Sequence, residues 1–99
     1  MDDKSLSLRG REAQSLLDNP LLTEALATMR KATVDQWKDM DLRDKEGALL
    51  LLQMAKVTDR FEGILRGIVD TGKLAQRRID LDAIRDEPAA RRFMRKVYG

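Results

Sequence analysis

The chain has 99 residues, 36% of them charged, with a net charge of +2, which fits one domain with both signs of charge spread over its surface. It contains no cysteine and no histidine, so disulfides, thiolate nucleophiles, zinc sites built on these ligands and the usual general base are all excluded. Three serines without a base leave little from which to build a hydrolytic centre, and the expectation is a protein that is not an enzyme and carries no cofactor or metal.

The longest unbroken apolar run, Ala48 to Leu52, falls far short of the roughly 20 residues that a membrane span requires. The opening MDDKSLSLRG begins with acids and lacks the apolar core of a signal peptide, so a cytoplasmic setting is expected. Charge is uneven along the chain. Residues 1 to 42 carry six Lys/Arg and eight Asp/Glu, residues 43 to 72 five of each, and residues 73 to 99 eight and four, which confines the basic character to the last quarter.

Residues 1 to 6 are polar and expected to fray. A short first helix is predicted from Leu8 to about Asp18, with Ser7 as its cap, Ala13, Leu16 and Leu17 as its apolar side, and Gly10 weakening its first turn. Asn19-Pro20 marks a boundary, because the residue before proline is pushed out of helical geometry while Pro20 suits the first turn of the next helix. That second helix is predicted from Pro20 to about Met40, with Leu22, Leu26, Met29, Thr33, Trp37 and Met40 in one narrow stripe. A turn follows at Asp39 to Leu42, where Asp41 and Asp44 have the spacing of a cap and an acid at its third position.

A long central helix is predicted from Arg43 to Gly72. Its residues Leu50, Met54, Val57, Phe61, Ile64 and Ile68 are spaced 4, 3, 4, 3, 4, the heptad spacing of helix-on-helix packing. Together with Leu22, Leu26, Met29 and Trp37 they are the expected core of a helical hairpin. Leu49 and Leu52 lie off that stripe, beside Lys56 and the Gly63-x-x-x-Gly67 pair, and these five residues form the expected oligomer or partner interface. Thr71-Gly72-Lys73 reads as a glycine helix cap with a cation at the negative end of the dipole.

Beyond Gly72 the periodicity lapses, and residues 73 to 87 are expected to form an arm with a turn of helix near Leu81 to Arg85. Asp86-Glu87-Pro88 then starts a last helix, PAARRFMRKVY. In it Arg91, Arg92, Arg95 and Lys96 stand with no acid among residues 88 to 99, beside Ala90, Phe93, Met94 and Val97. This segment either packs as an ordinary helix end or docks on a partner, an acidic protein surface or nucleic acid. Asp35 and Asp39 form a carboxylate pair four apart on one helical face, and Asp39, Asp41 and Asp44 crowd the turn, but the glycine and terminal glutamate of a calcium loop are missing.

The fold class expected is thus all-α: a helical hairpin on one long central helix, with a short N-terminal helix and a C-terminal arm ending in a short basic helix. Residues 1 to 75 form the hairpin domain and 76 to 99 the arm, in one domain or as an appended tail. Arg9-Gly10, Leu16-Leu17, Asn19-Pro20, Leu22, Ala25, Trp37, Asp44 with Glu46-Gly47, and Gly72-Lys73-Leu74-Ala75 together resemble a pattern in small helical proteins of tailed bacteriophages and prophages. The resemblance implies residence in an infected bacterial cytoplasm or the virion. It also implies a role in virion assembly or structure through self-association and contacts with phage or host proteins. Nucleic-acid binding or DNA packaging, and inhibition of a host or defence protein, are the alternatives.

Overall fold

The computed structural model describes residues 1 to 86. Among these the chain is all-helical, with α1 at Asp3–Leu17, α2 at Pro20–Asp39 and α3 at Lys45–Arg85, in an elongated body of 74 × 24 × 19 Å. At about 1.5 Å per residue α3 is roughly 62 Å long, so it runs nearly the length of the molecule. The other two helices lie end to end along it, both antiparallel to it. Arg30 of α2 reaches Asp59 and Glu62 in the first half of α3, while Asp3 of α1 reaches Arg78 in the second half.

Each helix start has a local cause. The Asp2 carboxylate accepts the Ser5 amide at 2.8 Å, Asn19 accepts the Leu21 amide at 2.9 Å with Pro20 at the first helical position, and Asp44 accepts the Gly47 amide at 2.9 Å. Such side-chain acceptors satisfy amides that have no partner inside the helix. Asn19-Pro20 separates α1 from α2 as the sequence predicts, and residues 40 to 44 separate α2 from α3. Within that turn Asp41 accepts the Arg43 amide, and the cap of α3 is Asp44 rather than Asp41.

Two boundaries differ from expectation. First, α1 begins at Asp3, so residues 3 to 6 are helical and Ser7 is an interior, buried residue rather than a cap. Contacts across to α3 outweigh the polar composition there: Ser7 Oγ donates to Gln76 Oε1 at 2.6 Å, and Arg78 bonds Asp3 through two nitrogens. Second, α3 does not stop at Gly72 but continues to Arg85, through the stretch read as an arm and through the position taken as a boundary at 75 to 76. Gly72 has no left-handed conformation and caps nothing.

The reason lies in what Gly72 meets. A Cβ built on Gly72 would stand 2.7 Å from the Gly10 Cα and 3.0 Å from the Leu6 carbonyl oxygen, and one built on Gly10 would stand 2.8 Å from the Gly72 Cα. The two helices touch backbone to backbone at this pair. Ser7, Gly10 and Ala13 on α1, three residues apart, face Val69, Gly72 and Ala75 on α3, also three apart, and all six are buried. Small side chains in matched rows let helix axes approach closely, and a helix so held is not ended by a glycine that would stop a free one.

Candidate functional site

The α1 end of the molecule is closed and the α2 end is open. Ala75 is fully buried at the closed end, whereas α2 contributes one buried side chain, Leu26. The residues of α3 buried in its first half are Leu51 and Thr58, with Ala55, Glu62 and Leu65 half-buried; this row points at α2. The Thr58 hydroxyl donates to the Met54 carbonyl one turn back at 3.1 Å, which lets a polar side chain sit in that row.

The heptad stripe is therefore not the core of this half. Of the ten residues expected there, Leu26 is buried, Leu22 and Ile68 are half-buried, and Met29, Trp37, Leu50, Met54, Val57, Phe61 and Ile64 are exposed. At 3.6 residues per turn the stripe centres about a quarter turn around α3 from the row that meets α2. Arg30 explains part of the offset. Its guanidinium bonds Glu62 at 2.7 Å and Asp59 at 3.4 Å, and Arg66 bonds Glu62 from the next turn at 3.0 Å, so α2 is clamped to a polar flank of α3 rather than laid over its most apolar face. The hydrogen bonds from Arg30, then from Arg66, hold the Glu62 carboxyl below its usual range, and Glu62 in turn raises the Arg30 guanidinium.

Two apolar surfaces result. On one side of α3 run Leu50, Met54, Val57, Phe61 and Ile64, each between 48% and 65% exposed. On the other, Val34 and Trp37 of α2 and Ala48, Leu49 and Leu52 of α3 line an open groove of about 620 Å³ beside the turn. Leu49 and Leu52, expected at an interface, thus share a surface with Trp37, which the sequence pattern places in the core. Lys56, Gly63 and Gly67 are exposed on α3, and a Cβ at either glycine would meet nothing within 4 Å, so among the described residues this glycine pair packs on no helix. The pair that does so, Gly10 and Gly72, carries a signal in the sequence: small residues three apart on both segments.

The basic residues Arg91, Arg92, Arg95 and Lys96 lie outside the described residues. Among the described residues no group of acids or other ligands is arranged to hold a metal ion, and no helix is long and apolar enough to cross a membrane. Asp35 and Asp39, considered as a carboxylate pair, are not brought into such a group; Asp35 pairs instead with Lys31 at 2.8 Å. Comparison of the chain with protein-family models, curated proteins and solved structures returns no match.

Proposed function

We propose that this is a non-enzymatic protein that works by association, joining copies of itself and other proteins through the apolar faces of α3 in the assembly or structure of a bacterial virus. The observation that carries the reading is the uncovered row from Leu50 to Ile64. Five large apolar side chains at roughly 100 Å² apiece present about 500 Å² in one strip, near the upper limit of what a monomeric protein normally leaves to water. The groove at Trp37, Leu49 and Leu52 adds a second such surface on the opposite side. A helix kept apolar on faces that the other described residues leave uncovered is read as a contact element, and the phage-like pattern of residues 8 to 75 supplies the setting.

Purification of virions and of assembly intermediates from bacteria producing the phage or prophage, followed by mass spectrometry, tests this. The chain is expected in particles or bound to their precursors. Its absence from both, with recovery instead on DNA or on a single host enzyme, overturns the assembly role in favour of packaging or of host inhibition.

A further inference from the structure

The exposed row on α3 continues a face that the chain itself covers elsewhere. Ile68, Gly72, Ala75 and Ile79 extend the same line toward the helix C-terminus, and there α1 lies over it. Gly10 stands opposite Gly72, and with Ser7 opposite Gln76 the antiparallel register brings the last turn of α1, at Leu17, level with about residue 65 of α3. Cover stops there. Among the described residues the face from Ile64 back to Leu50, about 21 Å long, has none.

We infer that a second copy of this chain covers that face, its α3 lying antiparallel to the first with a two-fold axis crossing between Val57 and Phe61. The inference rests on the self-association in the reading above and specifies its geometry. Three features argue for it. The row has heptad spacing, and in antiparallel register it is self-complementary: Val57 meets Phe61 of the second copy, Met54 meets Ile64, and Leu50 reaches the part of Ile68 that α1 leaves open. The area fits as well, since pairing two strips of about 500 Å² removes about 1,000 Å² from water, the lower bound for a specific interface. Direction follows from α1. Because α1 lies on the same face, a parallel pair would set two α1 helices, each about 10 Å thick, against one another and hold the rows apart. An antiparallel pair puts them at opposite ends, where each overlaps only the Leu50 end of the other chain's row.

Sedimentation equilibrium of the full chain between 1 and 100 µM tests the pairing. The expected mass rises to twice 11.3 kDa. Val57→Glu is expected to raise the dissociation constant at least a hundredfold while leaving the helical circular dichroism unchanged, because Val57 is 65% exposed in the single chain. Leu49→Glu, on the opposite side, is expected to leave the dimer intact. A wild-type monomer at 100 µM, or a dimer that Leu49→Glu dissociates and Val57→Glu does not, overturns the inference. The virion experiment above remains independent of either outcome. Direction is read by disulfide cross-linking, for which the cysteine-free chain is suited. Met54→Cys mixed with Ile64→Cys is expected to give a mixed cross-link on mild oxidation and neither variant alone a strong one; cross-linking of each with itself overturns the antiparallel arrangement.

Discussion

Replacing Gly72 by alanine sets two effects of known sign against each other. In a helix interior alanine is favoured over glycine by up to about 1 kcal/mol, so the substitution stabilises α3 taken alone. Against this, the new Cβ would stand 2.7 Å from the Gly10 Cα and 3.0 Å from the Leu6 carbonyl, and both are backbone atoms that no rotamer change can move. The helices must separate by most of an ångström, which loosens the buried Ser7, Ala13, Val69 and Ala75 along with the glycines. Overpacking of this kind costs about 1–3 kcal/mol. Gly63→Ala is the internal control: it gains the same helix propensity and meets nothing within 4 Å. The propensity term is common to both variants, so Gly72→Ala is expected to be less stable than Gly63→Ala by about 1–3 kcal/mol. At about 4–8 °C per kcal/mol for a domain of this size, the difference is several degrees in thermal midpoint, read by circular dichroism at matched protein concentration. Equal midpoints, or a higher one for Gly72→Ala, would refute a backbone contact at this crossing.

Three further substitutions probe the other joints. Ser7→Ala removes the hydroxyl that donates to Gln76 at 2.6 Å from a site only 4% exposed, and is expected to cost about 1 kcal/mol in urea unfolding; no loss would mean the bond is replaced by water. Asp44→Ala leaves the Gly47 amide without its 2.9 Å acceptor at the start of α3 and is expected to cost about 0.5–2 kcal/mol, with Asp44→Asn recovering most of it. For Glu62 the sign follows from its depressed carboxyl: what the Arg30 and Arg66 contacts contribute is fully present above the ordinary glutamate value near 4.3 and is lost as pH falls through the lower folded one. The stability gap between wild type and Glu62→Gln should therefore hold steady from pH 7 to about 5 and shrink as pH falls further; a gap that does not shrink on acidification would contradict the clamp.

The sequence announces its helices better than their partners. Asn19-Pro20, Pro20 at a first helical position and an aspartate cap before α3 are local signals, and local chemistry decides them. Gly72 misleads for a long-range reason: Thr71-Gly72-Lys73 carries every mark of a helix end, and only α1, some sixty residues earlier, keeps the helix going. Small residues at 7, 10 and 13 and at 72 and 75 are a weak periodic signal because they add little to an apolar stripe. The stripe from Leu50 to Ile64 misleads in the opposite direction. Its strength points to a core, yet periodicity states only that a face is apolar, not which chain covers it. Arg30, Asp59 and Glu62 decide that α2 lies elsewhere, and nothing in the spacing of Arg30 singles out those two carboxylates from the others on α3.

The covered and exposed stretches of this face of α3 also predict how stability responds to dilution. The α1 crossing is complete within one chain, so its contribution does not depend on concentration. In the inferred pairing the row at Val57 and Phe61 is covered by a second copy, and stability drawn from it follows mass action. Each tenfold dilution removes about 1.4 kcal/mol from a dimer relative to its separated chains. With an unfolding entropy near 2.1 cal/mol/K per residue, counted over both chains of a pair, the midpoint should fall by about 3 °C per tenfold dilution. Val57→Glu should flatten this slope while retaining the penalty of Gly72→Ala, because the substitution opens the seam and leaves the crossing whole. A concentration-independent wild-type midpoint from 1 to 100 µM would mean that the row contributes nothing to stability in that range. An unchanged slope in Val57→Glu would place the concentration-dependent contact on another face of α3.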